Sequence, residues 1–271
     1  MAEALRQAAE GLADTSDTAR LDAEVLMAHA LGVSRAELLL RHMRNPAPAR
    51  FAALVERRAG HEPVAYIVGE QEFYGRPFRV TPEVLIPRGD SEATLAAALE
   101  GAGASGRVLD LGVGSGALLV SFLAERPGWD GVGIDRSAGA LAVAGDNAVR
   151  LGAESRARLL QADWHAPAWC ESLGTFDRVI ANPPYVEEAA ELAPSVRAYE
   201  PAGALFAGAD GLDDYRVLIP QLRGLLAPEG AAVLEIGASQ ADSVGEIARE
   251  AGFSTDLRRD LAGRPRALIL R

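Results

Sequence analysis

An α/β fold with a doubly wound, mostly parallel sheet is the fold class that this chain of 271 residues predicts, on three observations. After Ser91, short apolar runs alternate with longer helical stretches, as strands and helices do in such sheets. A glycine-rich loop comes directly after the first run. Before residue 63, the apolar residues recur with helical spacing instead. We therefore expect a small helical region and a larger domain with a ligand site at the carboxyl ends of its strands.

The strands of the sheet are predicted from short apolar runs. Helical stretches separate most of these runs, so that helices are expected to cover both faces of the sheet. The predicted strands lie at residues 107–111, 131–135, 156–160, 176–181, 231–236 and 266–270.

The N-terminal region is predicted to contain three helices. Ser16 or Asp17 is suited to begin the first helix, which ends at Gly32. Ser34 is suited to begin the second helix, and the third ends at Gly60. These helices predict a small helical module.

A β-hairpin is predicted to join the two domains. From residue 63 the apolar spacing changes, because Val64, Tyr66 and Val68 alternate as the residues of a strand do. The stretch EFYGRPFRV is then broken at Gly75 and Pro77, which indicates a tight turn. The expected boundaries are 1–62 for the helical N-terminal domain, 63–90 for the hairpin linker and 91–271 for the sheet domain.

The charge of the chain disfavours a nucleic acid as direct partner. The net charge is −11, and an acidic surface repels a phosphate backbone. All 27 basic residues are arginine, which we attribute to a bias of composition. Residues 35–58 hold six arginines against two glutamates and are the candidate basic patch, which we interpret as a solvated helix face rather than a partner site.

Other features of the composition predict a cytoplasmic protein without a metal and without a membrane anchor. The single Cys170 cannot form an intramolecular disulfide, and the acidic N-terminal stretch lacks the basic start and apolar core of a signal peptide. Every apolar run is far shorter than the about 20 residues that cross a bilayer. The four histidines lack the spacing of metal ligands.

The loop DLGVGSG after the first strand supplies the first candidate ligand contacts, Gly112, Val113, Gly114, Ser115 and Gly116. Glycine lets a backbone approach a ligand closely, and the N-terminus of the following helix directs its free N–H groups to the same place. The spacing is G-x-G-x-G and not the G-x-G-x-x-G of dinucleotide sites, so a nicotinamide or flavin cofactor is disfavoured.

The ends of the next two strands extend this loop into a predicted nucleoside pocket. Asp135 is placed to accept hydrogen bonds from two ribose hydroxyls, and a cap for the helix that starts at Ser137 is the alternative interpretation. After the third strand, Asp163 is suited to bind the exocyclic amine of adenine. Trp164 is suited to stack on the adenine ring, although a tryptophan in a loop more often serves packing.

The stretch Ala-Asn-Pro-Pro-Tyr ends the fourth strand and predicts the chemistry. An amide or aromatic amine is a poor nucleophile toward a methyl sulfonium, because its nitrogen lone pair is delocalised. The side-chain carbonyl of Asn182 and the backbone carbonyl of Pro183, the predicted catalytic residues, are suited to accept the two N–H groups and direct that lone pair. Pro183 and Pro184 stiffen the loop, and Tyr185 offers a surface for a planar target, so all four are predicted to bind substrate.

At these motifs the chain resembles class I S-adenosylmethionine-dependent methyltransferases that modify a planar nitrogen. Over nearly its full length it is more similar to one family, the release factor glutamine methyltransferases of the HemK/PrmC type. The stretches that carry the resemblance are DAEVLMAHALG, EPVAYIVGEQEFYGRPFRVTPEVLIPR, DLGVGSG, GIDRS, QADW, NPPYV, YEPAGALFAGADGLDDYR and LEIG.

The resemblance implies a seven-stranded, Rossmann-like catalytic domain with S-adenosylmethionine as cofactor and S-adenosylhomocysteine as product. It implies methylation of N5 of the glutamine in the Gly-Gly-Gln motif of peptide chain release factors, which would dock partly on the helical N-terminal domain. The cofactor would contact the glycine loop, Asp135, Asp163, Trp164 and Asn182, and a monomer is favoured. Gly89 stands where the family commonly has proline, so neighbouring Arg88 and Glu92 receive no role.

Three alternatives remain open on the sequence. The first is methylation of a glutamine in a ribosomal protein, which the same four residues would serve. The second is N6 methylation of adenine in DNA or RNA, against which the acidic charge and the lack of an evident target-recognition domain both count. The third is an adenosine-binding or release-factor-binding module without activity.

Overall fold

A computed structural model describes all 271 residues, and the chain divides into two compact units. The helical unit consists of Met1–Glu70 together with Leu192–Tyr199. The sheet unit consists of Gln71–Glu191 and Glu200–Arg271. Leu192–Tyr199, which comes shortly after Asn182 in the sequence, therefore belongs to the helical unit.

The elements follow one another as the alternating pattern predicts. The helices are α1 (Ala2–Gly11), α2 (Ala19–Leu31), α3 (Arg35–Glu37), α4 (Phe51–Ala59), α5 (Val64–Val68), α6 (Glu92–Leu99), α7 (Ala117–Glu125), α8 (Ala138–Arg150), α9 (Pro194–Tyr199), α10 (Asp213–Leu218), α11 (Leu222–Leu225) and α12 (Ala241–Glu250). The strands are β1 (Glu70–Phe73), β2 (Arg76–Arg79), β3 (Ser105–Leu111), β4 (Gly128–Asp135), β5 (Ala157–Gln161), β6 (Phe176–Ala181), β7 (Leu226–Glu235), β8 (Thr255–Arg259) and β9 (Pro265–Leu270). None of the helices is both long and apolar enough to cross a membrane.

The large sheet has seven strands in the order β5-β4-β3-β6-β7-β9-β8, which confirms the predicted fold class. Strands β3 to β7 pair in parallel, whereas β9 runs antiparallel to both β7 and β8. The chain order reverses between β3 and β6, where a doubly wound sheet leaves a crevice at the carboxyl ends of its strands.

Helices pack on both faces of this sheet. Along β3, Val108 faces one apolar core and Leu109 faces the other, because successive side chains of a strand point to opposite faces. The core on the Val108 face includes Leu95 of α6 and Leu119 of α7. The core on the Leu109 face is closed by α10, α11 and α12, including Val244. Burial on both faces explains why the strands read as continuous apolar runs.

The structure corrects two predictions about elements and adds a strand that the sequence did not predict. Val64–Val68 is a helix and not a strand, because Pro63 begins a helical turn that buries Ile67 in the core of the helical unit. The sequence did not reveal β8, whose exposed and half-buried residues lack an apolar run. Ser16 does not cap α2, which begins after Thr18 without a side-chain cap. The hydroxyl of Ser16 instead donates to Asp22.

The hairpin and two helix ends agree with the sequence. Strands β1 and β2 form a two-stranded sheet, whose turn has positive φ at Tyr74 and Gly75. The Ser34 hydroxyl accepts a hydrogen bond from the N–H of Glu37, as predicted for the start of α3. Gly32 ends α2 in the left-handed conformation, which glycine adopts without strain.

Several arginines of residues 35–58 are engaged within the helical unit. Arg35 pairs with buried Glu24, at 2.7 Å between Nη2 and Oε2. Arg58 is itself buried and places its Nε 2.7 Å from Oδ2 of Asp22. These two pairs hold α2 against its neighbours, so part of the arginine excess serves the structure of this unit.

Candidate active site

The sheet register brings the predicted site residues to one edge. Leu111, the last residue of β3, is paired with Ile134 on β4 and with Ala181 on β6. Asp135 at the end of β4 is in turn paired with Gln161 at the end of β5. The loops that follow these four strands therefore surround one cavity, which lies at the reversal of the strand order.

Most of the predicted residues line this cavity. Gly116, Pro183 and Tyr185 are not part of its wall. The predicted residues that line it are Gly112, Val113, Gly114, Ser115, Asp135, Asp163, Trp164, Asn182 and Pro184.

The glycine loop has a backbone that other residues adopt only with strain. Gly112, Gly114 and Gly116 all have positive φ, between 52° and 82°. A Cβ at Gly112 would lie 3.3 Å from Cη2 of Trp164, so the indole packs directly over this glycine. Gly116 lies outside the cavity wall and is the residue that immediately precedes α7.

Asp135 ties the glycine loop to the start of α8. Its Oδ2 accepts from the N–H of Gly114 at 3.0 Å, and its Oδ1 accepts from the N–H of Ser137 at 2.9 Å. The hydroxyl of Ser137 caps α8 by accepting from the N–H of Ala140. The cap of α8 is therefore Ser137 and not Asp135, whose carboxylate braces the preceding turn and also lines the cavity.

Trp164 is fixed from outside the cavity by Asp214, to which the sequence assigned no role. Its indole N–H donates to Oδ1 of Asp214 at 2.8 Å, and Nε2 of His165 lies 2.9 Å from the same oxygen. Asp214 is buried in the first turn of α10. Asp163 accepts from the N–H of His165 and thereby shapes the turn that presents the indole.

The Asn182 loop joins the opposite side of the cavity. The side-chain amide of Asn182 faces the cavity and makes no hydrogen bond within the protein. Pro183 and Pro184 are buried, and Tyr185 is half-buried. Burial raises the pKa of the Tyr185 hydroxyl to about 12, and the charge of Glu235 adds to that rise, so the ring stays neutral.

Asp110 is a cavity residue that the sequence analysis did not assign. The carboxyl is buried, its Oδ2 accepts from the N–H of Leu119 at 3.1 Å, and its Oδ1 has no hydrogen-bond partner. Burial raises the pKa of Asp110 to about 7, the Leu119 hydrogen bond opposes this, and the charge of Asp135 adds to it. The signal in the sequence was an acidic residue inside the apolar run RVLDL.

A strap over the cavity is the second feature that the sequence analysis left unassigned. Residues 82–88 line the cavity, and buried Glu200 holds them at two points. One carboxylate oxygen accepts from the N–H of Ile86 at 3.1 Å, and the other pairs with the guanidinium of Arg88. Arg88 therefore lies at the cavity, whereas Glu92 accepts from the N–H of Tyr74 and supports the hairpin.

Comparison with known proteins gives the family. Residues 3–69 match the model of the PrmC N-terminal domain, and residues 90–200 match that of the methyltransferase small domain. A methyltransferase from Pyrococcus furiosus shares the fold, with a TM-score of 0.55, 16% identity, and coverage of 82% of this chain and 96% of that one.

Two curated relatives, both named release factor glutamine methyltransferase, are much more similar in sequence. The protein from Cereibacter sphaeroides is 44% identical over 100% of this chain and 98% of its own length. That from Rhodospirillum rubrum is 41% identical over 93% of this chain and 78% of its own length. With this identity along almost the entire chain, the protein belongs to the release factor glutamine methyltransferase family.

Proposed function

We propose that this protein transfers a methyl group from S-adenosylmethionine to N5 of the glutamine in the Gly-Gly-Gln motif of peptide chain release factors, in the cytoplasm. The observation that carries this proposal is the free amide of Asn182, held at the cavity by two buried prolines. The names of the relatives support the release factor as substrate.

The cavity fits the proposed cofactor in shape and charge. The close packing of Trp164 over Gly112 provides an aromatic wall beside the backbone of the glycine loop, which suits adenine. Asp135 lines the next part of the wall and is suited to the ribose hydroxyls. The unpartnered oxygen of Asp110 offers a buried acceptor, which suits the positive charge of S-adenosylmethionine.

The protein has to make an amide nitrogen reactive. When bound, S-adenosylmethionine supplies a sulfonium methyl group, and transfer of this methyl with the bonding pair kept by sulfur leaves S-adenosylhomocysteine. The side-chain carbonyl of Asn182 and the backbone carbonyl of Pro183 each accept one N–H of the glutamine. These two acceptors fix the nitrogen and favour the geometry in which its lone pair points at the methyl carbon.

No residue is required as a strong base in this scheme. As the new C–N bond forms, the nitrogen becomes acidic and releases one proton to water, which balances the charge. Tyr185 contributes a neutral ring beside the site, because its hydroxyl stays protonated at physiological pH. The helical unit would provide the docking surface for the release factor, a role supported by its match to the PrmC N-terminal domain.

The test is methyl transfer from labelled S-adenosylmethionine to a purified release factor, with the modified residue located by mass spectrometry. We expect label on the glutamine of the Gly-Gly-Gln motif. Asn182→Ala should lower kcat by about 100-fold, the usual effect of losing one well-placed polar group, and leave cofactor affinity largely unchanged. Absence of label with the wild-type protein, or full turnover by the variant, would refute the proposal.

A further inference from the structure

Gln240 lies between three loops at the carboxyl edge of the sheet. It is buried, 9% exposed, and immediately precedes α12. Its Nε2 donates to the carbonyl oxygens of Tyr185, at 3.1 Å, and Gly211, at 3.2 Å. Its Oε1 accepts from the N–H of Gly237 at 3.0 Å. Both N–H groups and the oxygen of the amide are therefore used, each on the backbone of a different loop.

The backbone around Gln240 is built for close approach. A Cβ at Gly211 would lie 2.4 Å from the carbonyl oxygen of Tyr185 and 2.9 Å from Nε2 of Gln240. A Cβ at Gly237 would lie 2.8 Å from Oε1 of Gln240. Only glycine fits at Gly211 and Gly237 while the Gln240 amide keeps its three hydrogen bonds. The three loops can therefore shift little relative to one another.

The hydrogen bond from Gln240 to the carbonyl oxygen of Tyr185 helps to fix the peptide group between Tyr185 and Val186. The N–H of Val186, which belongs to the same peptide group as the Tyr185 carbonyl, donates to the carbonyl oxygen of Leu205 at 2.8 Å. The N–H of Tyr185 donates to the same oxygen at 3.2 Å. With Gln240 on its carbonyl, the planar group is held at both edges, which fixes where the preceding residues can lie.

We propose that Gln240 is a positioning residue for methyl transfer: it holds the end of the Asn182–Tyr185 loop, so that the acceptors for the glutamine N–H groups keep their directions. This rests on the proposed function. Gln240 does not line the cavity, so its effect passes through the loop. Its loss therefore lowers kcat and leaves the affinity for the cofactor largely unchanged, because most of the proposed cofactor contacts, in the glycine loop and at Asp135 and Trp164, belong to other loops.

The experiment compares four full-length proteins with a release factor and labelled S-adenosylmethionine. Gln240→Met keeps the volume of the side chain and removes its hydrogen bonds, and Gln240→Ala removes the side chain. Val244→Ala is the matched control, because it removes buried volume from the following helix and leaves the hydrogen bonds of the Gln240 side chain in place. The measurements are kcat, KM for the release factor, the Kd of S-adenosylhomocysteine and the free energy of unfolding.

We expect both Gln240 variants to lose about 10- to 100-fold in kcat, as a misplaced reacting group does, with the Kd of S-adenosylhomocysteine unchanged. Val244→Ala should lose stability and keep the kcat of the wild type. Full kcat in Gln240→Met would overturn the inference, and so would a parallel loss of kcat in Val244→Ala or of cofactor affinity in the Gln240 variants. An inactive wild-type protein would instead overturn the proposed function, and this inference with it.

Discussion

The carboxyl of Asp110 combines a buried position with an oxygen that has no partner. Leaving such a group unpaired disfavours its ionised form, and this is why burial raises its pKa to about 7. A cation that enters the cavity would restore the missing interaction. The protonation state of this one residue should therefore be linked to binding of the positively charged cofactor.

The affinity for S-adenosylmethionine should rise with pH through about 7, because the ionised form of Asp110 attracts the cation and the neutral form does not. Titration calorimetry at pH 6, 7 and 8 measures this. Asp110→Asn keeps an oxygen for the N–H of Leu119 and removes the titration, so its affinity should be lower and nearly independent of pH in this range. An equal pH dependence in both proteins would contradict the role of Asp110.

Asp214 is expected to act on cofactor binding through Trp164. Asp214→Ala removes the acceptor of the half-buried indole N–H, and losing this hydrogen bond to a charged group costs about 1–3 kcal/mol. The ring should then leave its position over Gly112, and the Kd of S-adenosylhomocysteine should increase by about tenfold or more. Asp214→Asn retains an oxygen acceptor and should bind nearly as well as the wild type. Equal affinity in all three proteins would exclude this role.

At the scale of elements, glycines show where strands and helices approach too closely for a side chain. A Cβ at Gly128, the first residue of β4, would lie 2.4 Å from the backbone oxygen of Ala104. A Cβ at Gly145 in α8 would meet only Cδ1 of Leu159, at the ordinary distance of 3.7 Å. The same substitution should therefore have opposite effects at these two positions.

Gly128→Ala should destabilise the protein by about 1–3 kcal/mol, because a backbone atom cannot move aside as a side chain can. Gly145→Ala should stabilise it by about 0.5–1 kcal/mol through the higher helix propensity of alanine. Urea denaturation of the two variants and the wild type measures both effects. If Gly128→Ala were as stable as the wild type, the pairing of β3 with β4 would not be as close as described.

At the scale of the whole molecule, stability should depend on pH through two buried carboxyls. Burial raises the pKa of Glu235 from 4.5 to about 7, against the lowering by Ser91, Arg266 and Thr94. Burial likewise raises the pKa of Asp110 from 3.8 to about 7. At pH values between the ordinary and the raised pKa of each carboxyl, the folded protein holds a proton that the unfolded chain has lost. The free energy of unfolding therefore has a contribution that decreases as the pH rises from about 5 to 7.

The Glu235→Gln variant should lose part of this pH dependence. One proton changes the free energy of unfolding by about 1.4 kcal/mol per pH unit. The free energy of unfolding of the variant should therefore depend clearly less on pH between pH 5 and 7. Urea denaturation at several pH values compares the two proteins. Identical slopes would mean that Glu235 is already ionised in the folded state at pH 5.

How much of the molecule the sequence predicts depends on the range of the interaction. The six predicted strands all lie in the sheet. Five of them are buried along most of the predicted residues, which makes them apolar runs that can be read locally, whereas β5 is only partly buried. Strand β8 and helix α5 were missed, since the first is only partly buried and the second is too short for its periodicity to be distinguished from alternation. The family itself is confirmed by the relatives.

The sequence by itself determined which loops form the candidate site, since glycines, prolines and a carboxylate at strand ends have local physical reasons to be there. Only the tertiary structure decided what holds those loops in place. The side chains of Asp214, Glu200 and Gln240 contact residues that are 50, 112 and 55 positions away, respectively, and no local pattern shows which residues they contact. A hydrogen bond between distant segments depends on how the sheet and helices pack, and this packing exists only once the chain has folded.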